Sequence, residues 1–514
     1  MALKRLYTAI LWTVALLLQP LLTACQLITG NSECDELYEQ NPSNQYLNIT
    51  ISVSGDALPT ATRGPQGGED GDGREEGFER ENAISGITLI LADGSISSST
   101  AKVVFSRYFP VTAVTSTLPS NNHNHTIGDI AQQYTTGNQR VERTDLDMSA
   151  NQQYYIYVVA NRFINVSKDA NLQAVLSDLT LTRNELFNGN AYFPDNCQNF
   201  VMTSEQEVTV NFGTNSGVDK TTDANAIYAN VTNPIIIERM TARIDFCTAY
   251  INNTKNADYG TYDVSEGGTA TTVSGFKYFT GASGNDASYF ILESITPFNL
   301  NNEEEYLFER VTSGWTESEG VYTPATPTYL GKETADNYVV DPNTASKTTT
   351  TLTYTNPLGT TAPDWSGNAY LRTAESLNSQ TSKTKEVSTT TYDNFVVAYT
   401  MENTLLPASP LKTYATGLAI TGSYYTSTGE FIARKTFYGY LRHQGEPSTG
   451  SYRAYEYSDL STTATVGSTP MNFSVVRNNI YRVSIESINP LDGRLSLKLA
   501  VHDWRNVEHP TIYL

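Results

Sequence analysis

Strict alternation of apolar and polar residues is the most regular pattern in this chain, and it predicts β-strands. It is clearest at 47–53, where the apolar positions would share one face of a half-buried strand: Leu47, Ile49, Ile51 and Val53. Further strand-like runs occur at 87–91, 102–105, 154–160, 208–212, 394–401, 416–425 and 431–441. Since no run beyond the first 25 residues has a helical period, we predict an all-β fold of sandwich type.

The end of the chain predicts one specific supersecondary element. Apolar runs at 475–488 and 495–501 flank a turn that contains Asp492 and Gly493. Gly supplies the left-handed backbone conformation that a tight turn needs, so these runs are predicted to form a β-hairpin.

Composition divides the remainder of the chain. Residues 55–82 are rich in Gly, Pro and acidic side chains and cannot bury enough apolar surface to order themselves. They would join the strand at 47–53 to the remainder through a protease-accessible connection. We place a boundary near residue 234, which predicts domains at 64–233 and 234–514. The Thr-rich stretch 318–392 is interpreted as long surface loops or an insertion.

The first 25 residues predict export. Lys4 and Arg5 precede an apolar segment, 10–22, which has the length of a signal sequence and is short for a membrane span. The segment ends in Leu22-Thr23-Ala24-Cys25, which resembles a bacterial lipobox. This motif predicts removal of residues 1–24 and acylation of Cys25, and two or more acyl chains anchor a protein stably. The alternative is an ordinary signal peptide with a chance Cys.

Charge and composition exclude one class of partner. The chain has 514 residues, a formal net charge of −21 and only 39% hydrophobic residues. Nucleic acid is excluded as a partner because binding phosphates requires clustered Lys and Arg. An acidic exterior instead keeps an exported protein soluble.

Candidate chemistry is sparse, and we expect neither an enzyme nor a metal or other cofactor. The pair His123 and His125 lies in a polar run without a third ligand at metal-binding spacing, which favours a solvated loop. Residues 70–73 with Glu81 faintly match a calcium loop, but Arg74 and Glu75 occupy positions that require other residues. A pair of carboxylates for glycoside chemistry meets only in space and cannot be recognised in one sequence.

The cysteines leave a question open. With Cys25 assigned to lipid, the odd number that remains (Cys34, Cys197 and Cys247) implies at least one thiol outside any intramolecular disulfide. If the segment with Cys34 is removed, Cys197 and Cys247 are able to pair.

Several motifs together resemble the FimA/Mfa-like fimbrillins, the subunits of type V pili in Bacteroidales. The motifs that carry the resemblance cover most of the chain discontinuously: the lipobox, Ala61-Thr62-Arg63-Gly64, 155–161, 237–243, 394–403, 475–482 and 499–504. The stretch 475–482 (VVRNNIYR) is the most specific of them.

The resemblance implies two transthyretin-like β-sandwich domains and a maturation pathway. A lipoprotein precursor (propeptide 25–63) would reach the outer membrane, and an arginine-specific protease would cut after Arg63. Arg74 and Arg80 are the rival sites, which acidic neighbours disfavour. The cut would release the strand at 47–53, and the C-terminal segment of another copy would replace it.

The candidate donor side chains of that C-terminal segment are Val507, Ile512 and Leu514. Ile512 and Leu514 share a face in an extended chain, whereas Pro510 has no N–H to donate. The alternative is a frayed terminus.

Taken together, these features predict a shaft subunit of a surface fimbria that mediates adhesion. Its partners would be other copies of itself, tip and anchor subunits, the maturation protease and, before processing, the outer membrane. The alternatives are a lipid-retained anchor, a tip adhesin, or a surface lipoprotein that stacks glycans on its Tyr and Trp side chains.

Overall fold

The computed structural model describes part of the chain, and the structural statements below refer to that part. It comprises residues 45–49, 51–53, 74–76, 78–110, 148–149, 151–177, 179–187, 197, 199–214, 227–230, 235–250, 254–255, 257–280, 288–318, 321–329, 337–339, 341–344, 347–353, 369–380, 384–387, 390–406, 409–442, 455–456, 473–489, 494–505 and 512–513.

Strands dominate these residues, which confirms the all-β prediction. The strands of the first part are β1 Gln45–Ile49, β2 Ile51–Val53, β3 Arg74–Glu76, β4 Gly86–Ala92, β5 Val103–Pro110, β6 Gln153–Ala160, β7 Thr180–Thr182, β8 Met202–Ser204, β9 Val208–Asn211, β10 Gly213–Thr214, β11 Ile227–Asn230 and β12 Ile235–Arg239.

The second part is also built mainly from strands. They are β13 Ala242–Cys247, β14 Ala249–Tyr250, β15 Thr254–Lys255, β16 Asp258–Glu266, β17 Thr269–Phe279, β18 Tyr289–Phe298, β19 Leu300–Asn301, β20 Glu304–Tyr306, β21 Glu309–Ser318, β22 Val321–Tyr329, β23 Asn337–Val339, β24 Leu352–Thr353, β25 Arg372–Thr373, β26 Thr384–Val387, β27 Thr390–Thr400, β28 Gly417–Tyr425, β29 Phe431–Tyr440, β30 Tyr455–Glu456, β31 Asn479–Asn489, β32 Arg494–Arg505 and β33 Ile512–Tyr513.

The helices in the described ranges are short. They are α1 Glu79–Asn82, α2 Leu172–Ser177, α3 Arg183–Phe187, α4 Ala374–Asn378 and α5 Leu411–Tyr414, with a 3₁₀ turn at Thr349–Thr351. None of the helices in this part of the chain has the length and apolarity to cross a membrane.

The first part of the chain packs two sheets around an apolar core. One sheet has the order β2-β12-β8-β6-β4-β5, with β9 also paired to β6, and the other has the order β10-β11-β1-β33. Strand β4 is buried along its whole length because both of its faces are covered. Its Ile87 and Leu89 lie in the core with Leu47 of β1, whereas Ile90 packs on the opposite face.

The second part is a sandwich of two sheets with six and seven strands. The sheet β26-β27-β13-β31-β32-β3 packs against the sheet β16-β17-β18-β28-β29-β30, and the core between them includes Phe246, Phe276, Phe290 and Phe395. The predicted hairpin is present as β31 and β32, which pair antiparallel from Asn479↔Asp503 to Asn489↔Arg494. The chain crosses from the first part to the second between β12 and β13.

The interpretation of 318–392 as loops is only partly right. Strands β21, β22 and β23 form a three-stranded antiparallel sheet, and the last two lie within that stretch. Thr is β-branched and favours strands even where apolar residues are few, so low hydrophobicity is a poor reason to exclude a strand here.

Candidate functional site

The predicted displaced strand is an integral part of the first sandwich. Leu47 is only 1% exposed and packs in the core with Leu89, Ile156 and Ile235. Strand β1 is paired on both sides, with β11 in parallel and with β33 antiparallel. The prediction of a strand with a buried Leu47 is therefore confirmed.

The same segment continues into the other sheet of the sandwich. Strand β2 runs parallel to β12, with Ile51 opposite Ile235 and Val53 opposite Ile237. Ile235 and Ile237 are buried in the core, and β2 is the edge strand of its sheet. Ile49 lies in β1 and Ile51 and Val53 lie in β2, so the single continuous strand predicted from the alternation is instead two strands in different sheets; the side chains of these three residues fall outside the described set. Residues 45–53 thus complete both sheets at one side of the sandwich.

Loss of residues 45–53 would leave two strands, β11 and β12, each without one of its neighbouring strands. Burying a side chain such as Leu47 stabilises a fold by about 1.5–3 kcal/mol relative to leaving it in water. In addition, the backbone N–H and C=O groups of β11 and β12 that face β1 and β2 would lose their partners. An unpaired edge of this kind accepts another extended chain readily.

The candidate donor segment lies beside the strand that it is predicted to replace. Strand β33 pairs antiparallel with β1, with Tyr513 opposite Asn48 and Ile512 opposite Ile49. Val507 and Leu514 lie outside the described residues. The sequence suggested an extended tail but gave no sign that this tail pairs with the N-terminal strand of its own chain.

Two of the three candidate cleavage sites are within secondary structure. The prediction that residues 55–82 cannot order themselves is therefore wrong for 74–76 and 79–82, which pair with the second sandwich or pack on it. Arg74 lies in β3, opposite Asp503 of β32, and Arg80 lies in α1 with its guanidinium 4.6 Å from the centre of the Phe78 ring. Arg63 lies outside the described residues, as do Cys25 and Cys34. Strand β3 pairs with 503–505, so the chain after the predicted cut contacts the residues from which the C-terminal tail extends.

A buried ion-pair cluster joins α1 to the second sandwich. Arg243 Nη1 lies 3.0 Å from Glu81 Oε2, and its Nη2 lies 2.8 Å from Asp245 Oδ2, with all three side chains fully buried. Tyr399 donates a hydrogen bond from its hydroxyl to Glu81. Burial alone would lower the pKa of Arg243, but the carboxylates of Asp245 and Glu81 outweigh that effect and raise it. Glu81 therefore pairs with Arg243 and is not available as a calcium ligand, whereas residues 70–73 lie outside the described ranges.

A second buried cluster surrounds Arg477. Its Nη2 lies 2.6 Å from Glu402 Oε2, and its Nη1 donates to the Leu307 carbonyl at 2.9 Å. Glu402 also donates its backbone N–H to Glu305 Oε2 at 3.0 Å. Burial, and then the nearby charge of Glu402, raise the pKa of Glu305 well above its usual value.

These clusters explain two of the sequence motifs. Arg239 and Arg243 come from the motif at 237–243, and Arg477, Asn478 and Arg482 come from 475–482. Arg239 Nε donates to the Glu81 carbonyl at 3.2 Å, and its Nη1 donates to Asn478 Oδ1 at 3.3 Å. In the sequence, these motifs are identified only by their resemblance to the fimbrillin family. The signal that was missed is the presence of charged residues within otherwise apolar strand runs, which indicates buried ion pairing.

The cysteines in the described residues are both buried thiols. Cys197 and Cys247 do not form a disulfide with each other. Burial raises the pKa of Cys197 to about 12, so this side chain is protonated at neutral pH. No group of three or more metal-binding side chains occurs within the described ranges, and His123 and His125 lie outside them.

Comparison with known proteins gives structural neighbours only. No family model matches the chain, and no curated protein matches it. A fimbrilin from Porphyromonas gingivalis is 12% identical with a TM-score of 0.36, and the match covers 91% of this chain and 99% of that one.

Two further structural neighbours are fimbrial proteins. The tip fimbrial protein Mfa3 from Porphyromonas gingivalis, with a C-terminal truncation, is 10% identical with a TM-score of 0.34 over 89% of this chain and 99% of that one. A fimbrial assembly protein from Parabacteroides distasonis is 10% identical with a TM-score of 0.28 over 88% and 97%. Similarity at this level carries no argument about function.

The Arg243 cluster yields a stability prediction. Arg243→Ala would leave the Glu81 and Asp245 carboxylates buried without their cation, and we expect a loss of about 3–5 kcal/mol in the free energy of unfolding. Urea denaturation of the two proteins measures the difference.

Arg434→Ala is the matched control for that variant. Arg434 pairs with Glu293 at 2.8 Å, but its side chain is 62% exposed, so its loss should cost less than about 1 kcal/mol. Equal effects of the two substitutions would contradict a structural role for the buried cluster.

Proposed function

We propose that the chain is a structural shaft subunit of a surface fimbria. It would be exported as a lipoprotein precursor, acylated at Cys25, cut after Arg63 by an arginine-specific protease and polymerised by strand exchange. The observation that carries the proposal is the double pairing of residues 45–53, which complete both sheets of the first sandwich. A segment that is integral to the core, yet followed by a Gly- and acid-rich connection, is suited to removal and replacement.

The position of the cut follows from what the rival sites would disrupt. A protease must bind several residues of its substrate in extended form, so backbone already paired in a strand or helix has to open first. Cutting after Arg80 would also separate Glu81 from the preceding chain, and the backbone N–H of Phe78 bonds to the Glu81 carboxylate at 2.6 Å. Arg63 precedes all of these contacts and is the proposed site.

The cut would release one contact of the C-terminal tail and retain another. The β1–β33 pairing would leave with the propeptide, whereas β3 would stay paired with 503–505. Residues 506–514 would then be free to act as donor while their base is fixed in the sheet. The precursor would therefore be self-capped, because the strand that fills the acceptor site also pairs with the tail.

A lipid-retained anchor is the second candidate, and one observation favours it. The pairing of β33 with β1 within one chain also fits a subunit that keeps its propeptide and remains closed. Such a subunit would stay in the outer membrane and terminate the filament. Resistance to cleavage after Arg63 distinguishes it from a shaft subunit.

Processing gives a direct test of the shaft proposal. Treatment of the full chain with an arginine-specific protease should remove a fragment ending at Arg63, and the product should form filaments visible by electron microscopy. Arg63→Ala should abolish both, because the rival sites Arg74 and Arg80 lie in a strand and a helix. Arg74→Ala and Arg80→Ala serve as controls and should be processed normally. Cleavage of Arg63→Ala at the wild-type rate, or a cut protein that stays monomeric, would refute the proposal.

Self-capping gives a second test. Residues 48 and 513 lie directly opposite each other on antiparallel strands, a geometry that brings Cα atoms within disulfide range. In a Cys34→Ser background, Asn48→Cys with Tyr513→Cys should form a disulfide that keeps the propeptide attached to the tail after cleavage.

The oxidised double variant should be cut yet remain monomeric, and it should assemble after reduction. Each single Cys variant is the control and should assemble without reduction. Assembly of the oxidised double variant at the control rate would show that the tail does not need to leave the propeptide.

A further inference from the structure

A buried lysine lies against a carboxylate and an amide in the second sandwich. Lys347 Nζ is 2.7 Å from Asp341 Oδ2 and 2.7 Å from Asn403 Oδ1. Its side chain is 3% exposed, and the Asp341 side chain is fully buried. Burial lowers the pKa of Lys347, so less free energy is needed to deprotonate it to the neutral amine. A buried amine held next to the carbonyl group of a side-chain amide is placed to act as a nucleophile.

The amide of Asn403 is held in one orientation. Its Nδ2 donates to the Asn299 carbonyl at 3.0 Å and to the Tyr414 carbonyl at 2.9 Å, and it lies 2.9 Å from Thr416 Oγ1. The backbone of Asn403 exchanges two hydrogen bonds of 2.9 Å with Val475. The side-chain carbonyl therefore faces Lys347, and little rotational freedom remains to be lost before reaction.

Asp341 is placed to accept a proton from Lys347, because it pairs with Nζ at 2.7 Å and is held by hydrogen bonds to both of its carboxylate oxygens. Its Oδ2 accepts from Thr404 N at 2.8 Å and from Thr404 Oγ1 at 2.9 Å, and its Oδ1 accepts from Asn343 N at 2.9 Å. A carboxylate is a poor target for an amine, so the amide of Asn403 is the better electrophile of the two.

We propose that Lys347 and Asn403 join in an intramolecular isopeptide bond. Asp341 takes a proton from Lys347 Nζ, and the neutral amine attacks Asn403 Cγ. The bond between Cγ and Nδ2 then breaks as Asp341 returns its proton to Nδ2, which leaves as ammonia. Nζ gives up its second proton through Asp341 to that ammonia, so ammonium is released and Asp341 is again a carboxylate. The product is a secondary amide between Nζ and Cγ. The exchange of one amide for another requires no oxidant, metal or cofactor.

The bond would connect positions 56 residues apart in the chain. It would join Lys347, six residues after Asp341, to Asn403, which lies three residues after the end of β27 and bridges to Val475. Burial would protect the amide from water. A covalent link between Lys347 and Asn403 would keep the intervening residues 348–402 from being extended under load. This inference does not depend on the proposed shaft function.

Mass spectrometry of the denatured full chain tests the proposal. The intact mass should be lower than the sequence mass, after any N-terminal processing, by one ammonia. A trypsin digest should yield 386–412 covalently joined to 333–372, because the acylated Lys347 no longer directs cleavage. Recovery of 333–347 and unmodified 386–412 as separate peptides would show that the cluster contains an ion pair and no covalent bond, which would refute the proposal. Loss of a water, with the link at Asp341, would also overturn the assignment to Asn403.

Variants identify the roles of the residues. Lys347→Arg keeps a cation but not the nucleophile, and Asp341→Asn removes the proton acceptor; both should retain the full sequence mass. Lys435→Arg, at an exposed lysine, is the control and should lose one ammonia like the wild type. If either buried variant fails to fold, the wild-type mass alone decides the question. Ammonia loss that persists in Lys347→Arg would refute the proposal.

Discussion

The pairing of residues 45–53 with β11 and β12 is the constraint on which the first sandwich depends. One short segment places Leu47 in the core and supplies the neighbouring strand for both sheets. Because the segment passes from one sheet to the other, its departure would open the sandwich along one whole side. A fold organised in this way needs a strand in that position but does not require that the strand belong to its own chain.

The buried charges perform a different task from the apolar core. Buried ion pairs contribute little net stability, since desolvation offsets their attraction, but a wrong arrangement that separates them is costly. At the junction of the two sandwiches, the Arg243 cluster joins α1 to β13, and the Arg477 cluster joins the residues before β31 to Glu402 and to Tyr306 of β20. Arg239 of β12 contacts both Glu81 and Asn478. The two clusters fix how these elements meet. Glu81 is part of this junction and follows the proposed cut, so the junction would survive maturation unchanged.

Local patterns in the sequence predicted the elements better than their partners. Alternation identified the strand at 47–53 and the hairpin of β31 and β32 because each depends on side chains close in sequence. The parallel pairing of β1 with β11 and the pairing of β33 with β1 connect distant segments, and no local pattern encodes them. The Thr-rich strands were missed because low hydrophobicity does not exclude a strand whose side chains are polar and whose backbone is paired. No local sequence pattern indicates that Lys347, Asp341 and Asn403 meet, because only the fold brings them together.

The central claim is that residues 45–53 fill a position that a second copy takes over. An electron cryo-microscopy map of filaments grown from the cut protein tests it most directly. The account predicts no density for 45–53 and a C-terminal segment containing Ile512 from the adjoining copy alongside Ile235 and Ile237. A map in which 45–53 stays beside β11 and β12, or in which the subunit's own tail fills that position, would contradict it.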